Sequence, residues 1–135
     1  MSSFQEDCIF CKKINCKVIS TTKHFFIIRD TAYPVTKHHT LIITNRHVAD
    51  FFNLTKDEIN DLGKILKSQK KKLKELDKKI SGFNMGVNIG KDAGQSIMHC
   101  HVHLIPRRKG DVADPAGGVR GVIPKKQKYK KKYST

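Results

Sequence analysis

A chain of 135 residues with 27 Lys and Arg against 12 Asp and Glu carries a formal charge of +15, and 38% of it is hydrophobic. That length fits one domain with a core of its own, and apolar clusters such as Phe25-Phe26-Ile27-Ile28 and Leu41-Ile42-Ile43 exclude wholesale disorder. No apolar run approaches the roughly 18 residues of a membrane helix. The polar, acidic N-terminus does not read as a secretory signal, and four cysteines without such a signal suit a reducing compartment. A soluble, cytoplasmic protein is the expectation.

In chain order, Cys8 to Asn15 reads as a turn leading into a short helical or irregular piece. Val18-Ile19 and Phe25 to Arg29 then form two strands rich in β-branched and aromatic residues, separated by a polar turn. Asp30 to His39 is a loop containing Pro34, and Thr40 to Thr44 is a third strand. Thr55 with Glu58 three residues on is a capping box. Apolar residues at Ile59, Leu62, Leu66, Leu73, Leu76 and Ile80 follow at three-four spacing, interrupted at Gln69. This pattern predicts one long helix that stops near Ser81-Gly82. Asn84 to Asn88 is a fourth strand, Gly90 to Ser96 a glycine-bearing loop, and Met98 to Ile105 a fifth strand closed by Pro106. The expected fold is α+β: an antiparallel sheet of about five strands, one long helix and a short N-terminal helix, over residues 1–124.

The surplus charge is concentrated. Residues 56–79 hold nine basic and five acidic groups, and residues 125–135 hold six lysines and no acid. The 125–135 segment reads as a solvated basic tail. The alternative is an electrostatic grip on RNA, DNA or another polyanion by the helix and tail.

The richest stretch is His99-Cys100-His101-Val102-His103-Leu104-Ile105. On a strand, side chains alternate, so the three histidines share one face while Cys100, Val102 and Leu104 turn to the core. Two of these imidazoles, at i and i+2, could ligate a zinc with a third ligand from elsewhere and an open position for water. Alternatively, the middle one could act as a nucleophile or proton-transfer group oriented by its neighbours. The preceding Asn88-Ile89-Gly90-Lys91-Asp92-Ala93-Gly94-Gln95-Ser96 offers glycines, an amide, a hydroxyl and open backbone N–H groups, as a phosphate-binding loop does.

In this pattern the sequence resembles the histidine triad family of nucleotide hydrolases and transferases, whose hallmark is His-x-His-x-His followed by two apolar residues. The likeness extends to Cys8-Ile9-Phe10-Cys11, to His39-Thr40-Leu41-Ile42-Ile43, to Asn88-Ile89-Gly90 and to Gly117-Gly118-Val119-Arg120-Gly121-Val122-Ile123-Pro124. It implies cleavage at the α-phosphorus of a nucleotide conjugate: a dinucleoside polyphosphate, a nucleoside phosphoramidate or an adenylylated compound. By the same resemblance His101 is the nucleophile, and its second ring nitrogen donates to a carbonyl. His103, Ser96 and Gln95 serve the phosphoryl oxygens and leaving group, and Asn88 lies on the phosphate side. Asp30 takes the ribose hydroxyls, and Ile9 and Phe10 line the pocket of a purine base. Thr44 departs from the proline usual after the third strand, and Lys12 to Cys16 lacks the family's apolar character.

Cys8-x-x-Cys11 is half of a tetrahedral zinc site. The resemblance, here to the cysteine-bearing, zinc-binding bacterial-type branch, implies His47 and His99 as the other two ligands of a structural metal. His101 and His103 are then left for chemistry, with His39 able to orient an imidazole. It also implies a two-fold homodimer with a sheet continued across the interface.

Overall fold

The computed structural model describes residues 4–129. Five strands form one antiparallel sheet: β1 (Val18–Thr21), β2 (Phe25–Arg29), β3 (Thr40–Thr44), β4 (Ile80–Gly86) and β5 (His101–Arg108), in the order β1-β2-β3-β5-β4. One helix, α1 (Lys56–Leu76), packs on it, giving the expected α+β architecture. No helix among the described residues is long and apolar enough to cross a membrane.

β2 and β3 are buried on both faces. Phe25, Ile27 and Ile42 pack with Val102, Leu62 and Ile65 on the helix side. Phe26, Ile28, Leu41 and Ile43 pack with Cys8 and Phe10 on the other. Each such side chain removed from water contributes about 1.5–3 kcal/mol. At the start of α1, Thr55 Oγ1 accepts from the Glu58 N–H, and Glu58 Oε1 accepts from the Thr55 N–H at 2.8 Å. The capping box is therefore closed, and Arg46 donates to the same buried Glu58 carboxylate at 2.8 Å.

Several boundaries differ from the sequence reading. The N-terminal segment is a run of turns rather than a helix, because Lys13 and Asn15 take positive φ (53° and 55°) and break the helical path. The helix ends at Leu76, with Asp77 as its extended C-cap, so Gly82 is not the stop. Ile80 keeps the three-four spacing yet opens β4, where it is buried with Leu73 and Leu104. β4 ends at Gly86, which places Asn88 in the following loop.

β5 begins at His101 instead of Met98 and continues through Pro106 to Arg108. Proline is tolerated there because β3 pairs with β5 only as far as Leu104. The Pro106 carbonyl faces that vacated side, where the Thr36 hydroxyl donates to it at 2.8 Å. Gln69, the break in the apolar stripe, is buried and accepts a 2.7 Å bond from Arg29.

The chain is also built onto the fold beyond residue 124. The 3₁₀ turn Gly118–Val122 is followed by another at Pro124–Lys126. Lys128 reaches the Asp114 carboxylate at 2.8 Å, and Arg120 lies 4.8 Å over the Tyr129 ring. Gly117 is required in this segment: its φ is +89°, and a Cβ would stand 2.2 Å from the Gln127 carbonyl oxygen. Residues 130–135 of the expected tail lie outside the described residues.

Candidate active site and metal cluster

The β5 register separates the three histidines. His101 and His103 lie on the strand, half-buried, with ring centroids 5.3 Å apart. His99 precedes the ladder and is wholly buried. The three histidines nevertheless keep to one side of the sheet: Phe10 lies edge-on to both His99 and His101, and His101 and His103 pair with Ile43 and Leu41, which pack with Cys8 and Phe10. Cys100, Val102 and Leu104 do enter the interior.

His101 Nδ1 lies 2.8 Å from the His99 carbonyl oxygen, which can only accept, so Nδ1 carries the proton and Nε2 keeps a lone pair. Burial lowers the His101 pKa, partly offset by that carbonyl and by the Asp30 charge, so the neutral ring is favoured. A second chain of bonds fixes His103. The Val35 N–H donates to His39 Nδ1 at 3.0 Å, leaving the His39 proton on Nε2, which is 2.9 Å from His103 Nδ1. The remaining proton of neutral His103 is therefore on its Nε2. Burial, followed by His101 and His39, brings the His103 pKa down to about 4.

Asp30 stands beside this group, with Oδ2 3.8 Å from His39 Nδ1. Its Oδ1 accepts from the Ala32 and Tyr33 N–H groups, a turn that fixes the carboxylate at the end of β2. The Gly90–Ser96 loop wraps a 3₁₀ turn, Lys91–Ala93, with Gly90 and Gly94 at φ +89° and +92°. Gln95 holds this loop together. It is buried, its Oε1 accepts from Gly90 N–H, and its Nε2 donates to the Ala49 and Ile97 carbonyls. Ser96 is exposed and, with Ile9, lines a cleft of about 470 Å³. Phe10 is 5% exposed and sits edge-on to His101 at 5.1 Å, within the core. Asn88 is half-buried at the mouth of the loop.

The ligating atoms of Cys8, Cys11, His47 and His99 all lie within 4.8 Å of one another. Cys8 Sγ is 3.4 Å from His99 Nδ1, and Cys11 Sγ is 3.2 Å from His47 Nδ1 and 3.5 Å from His99 Nδ1. Ligands at zinc–sulfur and zinc–nitrogen distances of ~2.3 and ~2.0 Å, tetrahedrally disposed, stand roughly 3.5 Å apart, so the four groups fit Zn²⁺. His99 Nε2 donates to the Thr44 carbonyl at 2.6 Å, which aims its Nδ1 lone pair at the sulfurs.

Sequence reading missed the backbone partners: the carbonyls of Thr44, Val48 and Ala49 and the Val35 N–H. Carbonyls belong to every residue type and N–H groups to all but proline, so no side-chain pattern could reveal them.

Comparison with known proteins places the chain. The HIT domain model matches residues 11–110. An uncharacterized HIT-like protein of Methanocaldococcus jannaschii is 37% identical over 108 residues, covering 77% of this chain and 81% of that one. The adenosine 5′-monophosphoramidase of Candida albicans is 34% identical over 110 residues, covering 75% and 70%. A zinc-bound histidine triad family protein from Mycobacterium smegmatis superposes with a TM-score of 0.69 at 28% identity, over 80% of each chain. With three quarters of its length inside the matched domain, and histidines held as described, the chain belongs to the HIT domain family.

Proposed function

We propose that this protein is a nucleotide hydrolase or transferase that cleaves a nucleotide conjugate at its α-phosphorus through a covalent nucleotidyl-His101. The observation that carries the reading is the 2.8 Å bond from His101 Nδ1–H to the His99 carbonyl, which leaves Nε2 as a neutral, oriented nucleophile. The Nε2 lone pair forms a bond to phosphorus while the bond from phosphorus to the leaving group breaks. His103, held with its proton on Nε2, serves the leaving group. Water then attacks the nucleotidyl-histidine, cleaves the phosphorus–nitrogen bond and returns His101 to its neutral state.

Ser96 and Asn88 serve the phosphoryl oxygens. Gln95 acts on them by holding the loop, and any direct contact would use the remaining acceptor position of its amide oxygen. Asp30 takes the ribose through Oδ2, while exposed Ile9 and the edge of Phe10 border a purine base. The phosphoramidase relative supports a nucleoside phosphoramidate as one substrate. Cys8, Cys11, His47 and His99 would hold one structural Zn²⁺, whose contribution is folding energy. Four free thiols suit a reducing, cytoplasmic setting. The outer edge of β4 suits a homodimer with a continued sheet.

The test is a panel of adenosine conjugates with acid-quench trapping of nucleotidyl-protein. His101→Ala should abolish turnover and trapping, while nucleotide affinity stays within about tenfold, near 1.4 kcal/mol. Substantial turnover by pure His101→Ala protein would overturn the covalent route. Chelation-sensitive turnover by a protein whose zinc-loaded form is active yet traps no nucleotide would favour the zinc-water hydrolase instead.

A further inference from the structure

The peptide unit joining His99 to Cys100 is outside the β-ladder, yet its carbonyl holds the nucleophilic ring. Strand pairing does not fix that unit; four contacts do. Its N–H donates at 2.6 Å to the carbonyl of Val48, the residue next to His47. The His99 side chain is fixed at both ring nitrogens, by Thr44 on one side and by Cys8 and Cys11 on the other. The Cys100 carbonyl accepts from the Thr44 N–H at 3.2 Å. Phe10, between the two cysteines in the chain, lies edge-on to both His99 (5.9 Å) and His101 (5.1 Å). Three of these attachments lead directly to the cluster ligands or their chain neighbours.

We infer that His99 is a positioning residue through which the Cys8/Cys11/His47 cluster governs His101. With a cation bound, Cys8, Cys11, His47 and His99 would hold the His99–Cys100 peptide in place, and with it the position and tautomer of the nucleophilic ring. An open cluster releases the Nδ1 side of the His99 ring, leaving the ring held by Thr44 and the peptide by the Cys100 N–H bond to Val48. The peptide can then rock about that bond, which shifts the His99 carbonyl from His101 Nδ1, and the His101 proton redistributes between Nδ1 and Nε2. A ring protonated on Nε2 has no lone pair for phosphorus, so occupancy acts on kcat more than on substrate binding. The effect on turnover rests on His101 being the nucleophile, whereas the effect on its tautomer does not.

The two claims separate in one experiment on full-length protein labelled with ¹⁵N-histidine and loaded with Zn²⁺. The loaded form should show His101 as the Nδ1–H tautomer with a slowly exchanging proton. After chelation, or in Cys11→Ser, that population should fall to a mixture. Under the same conditions kcat should drop about tenfold or more with KM within about threefold, and Zn²⁺ should restore the chelated protein. A folded, metal-free protein that keeps both the tautomer and kcat would overturn the inference. Where removal unfolds the chain, the Zn²⁺ and Cd²⁺ forms decide. The larger ion should move the His101 nitrogen signals and lower kcat, and identical signals and kcat in the two forms would equally overturn it. A zinc-loaded protein with the stated tautomer but no trapped nucleotide points instead to failure of the covalent reading.

Discussion

Phe25 and Ile27 send their side chains toward α1, whereas Phe26 and Ile28, each one residue on, meet the turns that carry Cys8 and Phe10. On the first side a helix of 21 residues supplies Leu62, Ile65 and Leu73 at regular spacing, and burial is spread over its length. On the second a few turn residues cover the sheet, joined to it through four ligating groups and two ring contacts. The helix side reaches the histidine strand through Val102 and Leu104, whose side chains lie on the face opposite His101 and His103. The turn side is sparse, and most of its contacts are one or two bonds from His101. Changes on the two sides should therefore separate: stability alone on one, stability together with chemistry on the other.

The largest effect expected on the helix side is that of Leu73→Ala. Leu73 is wholly buried against Ile80 and Leu104, so the truncation should cost about 2–5 kcal/mol by lost transfer energy and the cavity left behind. Well below its lowered Tm, the variant should retain normal kcat. A denaturant titration paired with turnover at low temperature measures both. A specific loss of kcat in the folded variant would show that the two sides of the sheet are not independent.

The helix start offers a smaller, pH-dependent contrast. Burial acts to raise the Glu58 pKa, but the Arg46 and Thr55 bonds outweigh it, and the net shift is downward. A carboxylate with a depressed native pKa contributes stability that is fully present above its unfolded value of about 4.3 and is lost as pH falls through the native value. Glu58→Gln should flatten the acid limb of the stability curve in that window. Thr55→Ala should cost about 1 kcal/mol at neutral pH by opening the cap. An acid limb unchanged in Glu58→Gln would show that the ionised Glu58 carboxylate and its Arg46 pair do not contribute to stability, since Gln can still close the capping box.

The sequence specifies more of the helix side than of the turn side. β2, β3 and the first turn of α1 are legible because each depends on neighbours in the chain: β-branched runs, and a Thr–Glu pair three residues apart. The end of α1 is misread because Ile80 satisfies the helical period while belonging to a strand, and the extended Asp77 and the pairing of Ile80 with Arg108 separate the two. Gln69 reads as a flaw in the stripe until Arg29, forty residues earlier, is seen to donate to it. At the site, the residue types and their grouping are legible from motif order. The departure of His99 from the strand is not, since it depends on where pairing with β3 begins. Thr44 shows how a departure from the family pattern becomes intelligible: its N–H, which proline lacks, donates to the Cys100 carbonyl beside His101.

The smallest effect should come from the outermost layer of the helix side, where the charge is. Lys64, Lys67, Lys71 and Lys74 are exposed, and among the described residues none of them forms an ion pair. They lie across the sheet from His101, beyond the buried row of Leu62, Ile65 and Leu73. Exposed charges so placed act on the site only through the long-range field, which is screened beyond about 8 Å at 0.15 M salt. Replacing the four by Gln should leave kcat for a small nucleotide conjugate unchanged. Any fall in kcat/KM should appear at low ionic strength and fade as salt is added, as slower steering of an anionic substrate would. If the lysines instead engage a polynucleotide, neutralising several phosphates gives a steep dependence of affinity on salt. Oligonucleotide affinity would then fall by orders of magnitude in the four-Gln variant while mononucleotide turnover stayed intact. Fluorescence anisotropy with a labelled oligonucleotide across a salt series distinguishes the cases. The expected result is weak binding that the substitutions barely change, because no aromatic side chain is interleaved with these lysines on α1 to stack a base.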